Sequence, residues 1–375
     1  IREWRRQGGK LVEAAVLYRN NAQSRVLEEA LIQDGINYRI YGGLRFYDRQ
    51  EIKDALAYMR LINNRQDDAA LERIINTPTR GIGDSSLDKV REHAKAEQQT
   101  LWASLQTMLH LNQFTGRAAN AIKAFMDLIN RLDDEIRDLS LDEQADHVIH
   151  QSGLHAMYSA EKGEKAQTRI ENLNELVNAC ANQNYVNSEE MTALTAFLSQ
   201  AALEAGEYQA EEHSDAVQLM TLHTAKGLEF PLVFICGLEE GMFPSQQSGD
   251  DPTRLEEERR LCYVGMTRAM QKLYLCHAES RRLYGQEQYN KPSRFLREIP
   301  AEYVEEIRLT TTVSRPTQFN RFGNAASHSA FENTGFKLGQ RVLHDKFGEG
   351  TVLNYEGTGN QSRIQINFDL LGSKW

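Results

Sequence analysis

Apolar positions recur along this chain with two different periods. Val12 to Tyr18 is a short apolar run, and a helix capped by Ser24 and beginning at Arg25 follows it. Gly35 stops that helix, and Tyr38 to Tyr41 reads as a second strand. This β-α-β order is what an α/β lobe requires. From Gly42 the period changes. Between about residues 48 and 206 the apolar positions follow the three/four spacing of amphipathic helices, as in Ile52, Ala55, Leu56 and Met59 or Ile122, Phe125, Met126 and Ile129. Strand patterns return at Val217 to Leu222, Leu232 to Gly237 and Leu273 to Cys276, with a helix between the last two. The pattern predicts an α/β lobe that is discontinuous in sequence, interrupted by an all-α insert.

Residues 311–335 are rich in Thr, Ser, Asn and Gly and carry no periodicity, so they read as a linker. Beyond them Gln340 to His344, Gly350 to Tyr355 and Arg363 to Phe368 read as short strands, with Gly348, Gly350, Gly357 and Gly359 marking turns. They fit a small β-barrel of SH3 or Tudor type that stops before its last strand. The expected domains are therefore 1–41 and 214–310 for the two parts of the lobe, 42–213 for the insert, 311–335 for the linker and 336–375 for the barrel. The helical pattern of Ile1 to Gln7 and the strand-like Lys374-Trp375 both read as cuts in a longer protein.

Composition changes this picture little. The 375 residues are 41% hydrophobic and 26% charged, enough to bury cores in two or three domains. The net charge is −10, so any nucleic-acid contact must come from local groups on an acidic body. The four cysteines are widely spaced, without a C-x-x-C pair, which speaks against zinc and disulfide frameworks and for a reducing cytoplasm. No signal peptide and no bilayer-spanning apolar run is visible.

Several stretches carry chemistry. In Thr221-Leu222-His223-Thr224-Ala225-Lys226-Gly227-Leu228-Glu229-Phe230 an apolar strand breaks into small and polar residues. The Thr221 and Thr224 hydroxyls and the His223 imidazole can donate to phosphates, Gly227 permits close backbone approach, and Glu229 can accept from a sugar hydroxyl. Glu229 follows His223 within one turn, which would put both sites on one rigid lobe. The plain alternative is a strand-turn-helix with a solvated Lys and Glu. Glu256 to Ala269 is a charged helix leading to a strand, in which Glu257 can simply pair with Arg260. Arg19 and Asn21, in Leu17 to Arg25, sit at a strand end, where ligands gather in open α/β sheets. An ordinary exposed loop serves as well. Phe46 and Tyr47 can stack on bases or pack between lobe and insert. In Thr77 to Ser86, Gly81-Ile82-Gly83 precedes a helix and offers backbone N–H groups to a phosphate, with Arg80 adding charge. The alternative there is an N-cap by Asp84.

Taken together, these stretches resemble the UvrD/Rep/PcrA group of superfamily-one DNA helicases, over nearly the whole chain from Val16 to Trp375. The resemblance implies a RecA-like lobe of P-loop NTPase type, with an inserted helical domain and a Tudor-like tail. It implies that Arg19, Asn21, Thr221, His223 and Thr224 face single-stranded DNA. Gly227 and Glu229 would face the nucleotide, Arg268 would be the arginine finger, and Arg80, Gly81, Ile82 and Gly83 would hold duplex at a single/double-strand junction. The activity implied is ATP-dependent, Mg²⁺-requiring 3′-to-5′ unwinding in excision and mismatch repair, with repair proteins or RNA polymerase as candidate partners of the barrel. A G-x-x-x-x-G-K-[ST] phosphate loop does not occur here. The main phosphate and metal ligands would therefore lie in another lobe, no metal site is expected here, and this chain alone would not hydrolyse ATP. The rival reading is a non-catalytic module that binds DNA and docks proteins.

Overall fold

Ala14, Ala15, Val16, Leu17 and Tyr18 are all buried, which is what a strand covered on both faces of a parallel sheet requires. They form β1 (Ala14–Tyr18), the middle strand of a five-stranded sheet of order β2-β3-β1-β4-β5. Its partners are β2 (Tyr38–Ile40), β3 (Val217–Thr221), β4 (Phe230–Ile235) and β5 (Ala269–Leu275). The β2–β3, β3–β1 and β1–β4 pairings are parallel. The computed structural model describes residues 1–114, 116–182, 191–206, 214–249, 251–283, 286–307, 341–344, 348–356, 363–368 and 372–374. The linker assigned to 311–335, and Lys337, Lys346, Phe347, Gly357, Gly359 and Trp375, lie outside these residues.

The chain divides into two compact units. One holds 1–235, 264–274 and 282–286; the other holds 236–263, 275–281 and 287–375. In the first unit α1 (Arg2–Arg6) precedes β1, and α2 (Ser24–Gln33) joins β1 to β2. Between β2 and its neighbour β3 the chain forms α3 (Gln50–Asn63), α4 (Asp68–Ile74), α5 (Asp84–Glu97), α6 (Leu101–His110), α7 (Gly116–Glu135), α8 (Leu141–Gln151), α9 (Leu154–Ser159), α10 (Glu164–Asn182) and α11 (Ala193–Gly206). This agrees with the switch of period read from the sequence. Helix α3 is the centre: Ile52, Ala55, Ala57, Tyr58, Met59, Leu61 and Ile62 are all buried, and the core they anchor runs from Phe46 to Ala201. Phe46 and Tyr47 are part of that core, packed edge to face at 5.1 Å, so packing rather than an exposed stack accounts for them.

The helical segment is fastened to the sheet by buried charge. Arg49 donates from Nη1 to the Asn21 carbonyl (3.1 Å) and Asn172 Oδ1 (2.8 Å), from Nη2 to Ser24 Oγ (2.6 Å), and from Nε to the Leu44 carbonyl (3.3 Å). These acceptors belong to the loop after β1, to α2, to the turn before α3 and to α10. Ser24 in turn donates to Glu28 Oε1 at 2.6 Å. This corrects the capping role assigned to Ser24: α2 starts at Ser24 itself, and its hydroxyl serves the buried network. Burial pushes the Glu28 carboxyl above its usual range, although Ser24, Arg49, the Phe46 N–H and Arg45 all oppose the shift. A second pin is Arg25, bonded to Glu175 on α10 at 2.7 Å and to Glu29 at 2.8 Å.

The second unit contains most of α12 (Pro252–Met266), α13 (Arg294–Arg297) and a tail sheet. Strands β6 (Arg281–Leu283) and β7 (Gln286–Gln288) form a separate pair. The tail sheet is antiparallel and four-stranded: β8 (Arg341–His344), β9 (Gly348–Glu356), β10 (Arg363–Phe368) and β11 (Gly372–Lys374). The three strands read from the sequence are present, and a fourth, β11, pairs with β10 and ends at Lys374, where the sequence reads as strand-like. At Gly350 a Cβ would sit 2.8 Å from the Asn367 carbonyl oxygen, so only glycine fits between β9 and β10.

Removing Arg49 takes a counter-charge from Glu28 and leaves the Asn172 and Ser24 oxygens without their buried donor, a loss of about 3–5 kcal/mol for a broken buried network. Arg49→Met is therefore expected to lower the urea midpoint of this chain sharply. Arg137→Met, which breaks an exposed pair with Asp134, is expected to leave it in place.

Candidate functional site

Parallel pairing brings the ends of β1, β2 and β3 to one edge of the sheet. Tyr18 is level with Thr221, and the Leu222 N–H donates to the Tyr18 carbonyl at 2.9 Å. Arg19 and Asn21, after β1, and Thr221, His223 and Thr224, after β3, therefore share the carboxyl edge, where ligands gather in such sheets. The Thr221 and Thr224 hydroxyls bond each other at 2.8 Å, and the Thr224 N–H donates to Thr221 Oγ1 at 3.2 Å. Gly42, after β2, has a φ of +73°, and a Cβ there would lie 3.0 Å from Thr224 Cγ2. His223 is exposed, while Arg19 and Asn21 are half-buried.

Gly227, Glu229 and Arg268 lie elsewhere. Residues 222–229 form a coil of tight turns, with N–H to carbonyl bonds from Ala225 to Thr221, Lys226 to His223 and Leu228 to Ala225. The coil carries the chain back across the sheet, and β4 then starts at the opposite edge. Thr221 is level with Tyr18 and Leu232 with Ala14. Those levels are four residue steps apart, about 13 Å at ~3.3 Å per residue, and Phe230 lies farther still. The expectation that Glu229 and His223 share one turn is therefore corrected: a parallel strand must restart at the amino edge. The alternative of a helix after this turn is also set aside, since the coil leads directly into β4.

At the amino edge the backbone N–H of Phe230 donates to the carbonyl of Arg268 at 2.9 Å. The Arg268 guanidinium folds over the same spot. It donates from Nη1 to the Leu228 carbonyl (2.9 Å), from Nε to the Val264 carbonyl (3.0 Å), and from Nη2 to Thr267 Oγ1 (3.1 Å). Glu229, next to Leu228, is exposed. Gly227 has a φ of +86° with open space where a Cβ would project. A held cation thus lies against the short segment that carries an exposed carboxylate and an uncrowded glycine. They suit a polyanion carrying a hydroxylated sugar, such as a nucleotide. Among the described residues, no group of three or more His, Cys, Asp or Glu side chains could hold a metal ion. No described helix is long and apolar enough to cross a membrane.

The loop before α5 differs from expectation in its side chains. Arg80 is turned inward, donating to the carbonyls of Ile74 (3.0 Å), Pro78 (3.1 Å) and Ser152 (3.1 Å) and to the Tyr58 hydroxyl, with its guanidinium over the Phe125 ring. Ile82 is buried in the helical core. Asn76 Oδ1 accepts from the N–H groups of both Arg80 and Ile82. Arg80 and Ile82 therefore brace the loop from behind, and what it turns outward is the exposed Gly81 and Gly83. Gly83, not Asp84, holds the N-cap position, and Asp84 is the first residue of α5.

In the second unit, sequence reading missed a buried carboxylate. Glu239 is fully buried, gripped by Arg281 Nε (2.6 Å) and Nη2 (2.7 Å), by the Ala278 N–H (2.7 Å) and by Asn290 (3.3 Å). Next to it Glu240 takes Arg294 Nη2 at 2.7 Å and the Arg294 N–H at 2.7 Å. The pairs follow β4 and fix the turn that carries Gly241 to Pro244, whose Phe243 packs edge to face on Phe295 at 5.6 Å. Two adjacent acids after an apolar strand were the visible signal, but their partners are 42 and 54 residues away. Burial pushes Glu239 up, yet Arg281 and the N–H donors outweigh it, and its pKa lies below the usual 4.5.

Comparison with known proteins adds to this geometry. Residues 1–280 match the UvrD-like helicase C-terminal domain, and residues 338–375 match the PcrA/UvrD tudor domain. The chain is 60% identical to DNA helicase II of Escherichia coli (strain K12) over 376 residues, covering 100% of this chain and 52% of that protein. DNA helicase II of Salmonella typhimurium is 60% identical with the same coverage. ATP-dependent DNA helicase PcrA of Bacillus subtilis is 40% identical, over 96% of this chain and 50% of that protein. The chain spans about half the length of the curated relatives it matches.

A depressed folded pKa contributes stability that is present above the unfolded value and lost as pH falls through the folded one. Acid titration of unfolding is therefore expected to show the contribution of Glu239 vanishing below its usual 4.5. Glu239→Gln is expected to weaken the fold at neutral pH by about 3–5 kcal/mol, through the stranded Arg281, and to flatten the acid limb.

Proposed function

Because the chain belongs to the UvrD-like helicase family, as its C-terminal half, we propose that it forms the second lobe of an ATP-dependent 3′-to-5′ DNA helicase acting in excision and mismatch repair. The observation that carries this reading is the division of labour across one sheet. Donors that suit a phosphate backbone cluster at the carboxyl edge, and a cation with a carboxylate occupies the amino edge. A motor that steps on DNA must report nucleotide state to a strand-gripping surface, and one stiff sheet with both edges in use can do so.

At the carboxyl edge Arg19, Asn21, Thr221, His223 and Thr224 hold a single strand through its phosphates, which imposes no sequence preference. At the amino edge Glu229 accepts from the ribose, Gly227 admits the nucleotide, and Arg268 is the finger. A planar, permanently charged guanidinium suits charge that grows on equatorial phosphoryl oxygens. When bound, ATP with Mg²⁺ supplies the phosphoryl transfer that drives stepping. Its other ligands are assigned to the half of the protein not included in this chain. The bonds from Arg268 to Leu228 and Val264 orient the side chain beforehand, so little rotamer freedom is lost on engagement.

The segment from 42 to 213 is proposed as an inserted domain that holds the duplex at the junction. It would do so by the backbone at Gly81 and Gly83, with Arg80 and Ile82 as supports. The lobe is assigned to 1–41 and 214–310, the linker to 311–335 and the Tudor-like barrel to 336–375. The barrel is the docking surface for protein partners, repair proteins or RNA polymerase, and the site of action is the cytoplasm.

In the full-length protein Arg268→Ala is expected to lower DNA-stimulated ATP turnover by about 10³–10⁵. Near-normal turnover would sink the finger assignment. Anisotropy of a labelled hairpin with a 3′ single-stranded tail, titrated with this chain, is expected to show tighter binding than a bare strand, weakening as salt rises. Equal affinity for the two would remove the duplex contact.

A further inference from the structure

The two edges need a mechanical link, since the coil from 222 to 229 separates them. Gly265, in the last turn of α12, supplies the relevant geometry. Glycine is the poorest helix former after proline. The side-chain space at Gly265 gives a reason for its presence. A Cβ there would lie 2.4 Å from Leu222 Cδ2 and 3.1 Å from Ile235 Cδ1, closer than packed carbon atoms approach. The last turn of α12 therefore rests directly on the ends of β3 and β4.

Leu222 is fully buried and stands between the two strand-facing loops. It immediately precedes His223, and its N–H is bonded to Tyr18, the residue before Arg19. On the other side the Gly265 carbonyl accepts the Arg268 N–H at 3.1 Å. A continuous series of contacts thus runs from the Arg19 and His223 loops through the Leu222 side chain to Gly265 and on to Arg268.

We infer that Gly265 is a positioning residue that couples the strand-gripping loops to Arg268 through its contact with Leu222. This rests on the reading of Arg268 as the finger. A methyl group at 265 would wedge Leu222 away from the end of α12, so that a shift of the Arg19 and His223 loops on binding DNA would no longer be passed on to Arg268. Arg268 would then stay short of its DNA-stimulated position, and misplacement of a reacting group by as little as ~1 Å can cost about 100-fold in rate. The loss would fall on the stimulation and not on the basal rate, because no strand-facing or nucleotide-facing side chain is removed.

The test is a double-mutant cycle in the full-length protein, because coupling along a chain of contacts is established by non-additivity. ATP turnover is measured with and without saturating single-stranded DNA, together with KM for ATP and the melting temperature. Gly265→Ala is expected to reduce the stimulation by DNA about 10- to 100-fold while KM for ATP holds. Leu222→Ala combined with Gly265→Ala makes room for the methyl and is expected to restore most of the stimulation. A merely structural role would lower turnover with and without DNA alike and leave their ratio unmoved. Wild-type stimulation in Gly265→Ala, or a folded double variant no better than Gly265→Ala, overturns the inference. Should Gly265→Ala not fold, the double variant is compared with Leu222→Ala alone, and a double variant that does not exceed it overturns the inference equally. Arg268→Ala in the same assay separates the two levels. Normal turnover there removes the finger reading, whereas lost turnover there with an unaffected Gly265→Ala removes only the coupling.

Discussion

A guanidinium taken out of water must find an acceptor for nearly every N–H, and at Arg49 that demand organises the first unit. Its acceptors come from the loop after β1, the start of α2, the turn ahead of α3 and the middle of α10. None can move away alone without stranding a buried donor. The strand-end loop with Asn21 is thereby held to the helical segment, and Arg25 repeats the connection to α10 through Glu175. Loops at strand ends are ordinarily the mobile part of an α/β sheet. Here one is anchored from beneath by a side chain that does not itself reach the surface.

The second constraint is topological. Parallel neighbours start at the same edge, so the chain must recross the sheet after β3 before β4 can begin. Residues 222–229 make that crossing, so the two ends of the motif lie at opposite edges. A single run of ten residues, Thr221 to Phe230, thus spans two edges of the sheet. The groups proposed to face the strand and those proposed to face the nucleotide are separated in space while remaining parts of one sheet, which is what mechanical coupling requires.

Charges in prominent stretches divide by burial. Arg80, Arg49 and Glu239 lie in or beside loops at strand or helix ends, and each is taken up by internal carbonyls, hydroxyls or an opposite charge. Arginine suits such bracing because its planar fork meets several acceptors at fixed angles. Glu229 and His223, on exposed turns, remain at the surface. The framework charges hold the loops in shape, and at the loop before α5 what is left to face outward is the backbone at Gly81 and Gly83.

Periodicity in the sequence was enough to locate β1 to β5, the helical segment between β2 and β3, and the strands β8 to β10, because burial on one face or on both leaves a one-dimensional trace. The motifs around His223 and Arg268 identified the family for the same reason: their chemistry is contained in adjacent residues. What the sequence could not determine was direction and partnership. That Ser24 turns to Glu28, that Arg80 points inward, that Ile82 is core and that Glu239 meets Arg281 all depend on residues distant along the chain. The separation of His223 from Glu229 depended on strand order, which adjacency in sequence does not encode. The closeness of Gly265 to Leu222 arises only when the end of α12 is laid on the sheet, since a missing Cβ has no meaning until something occupies its place.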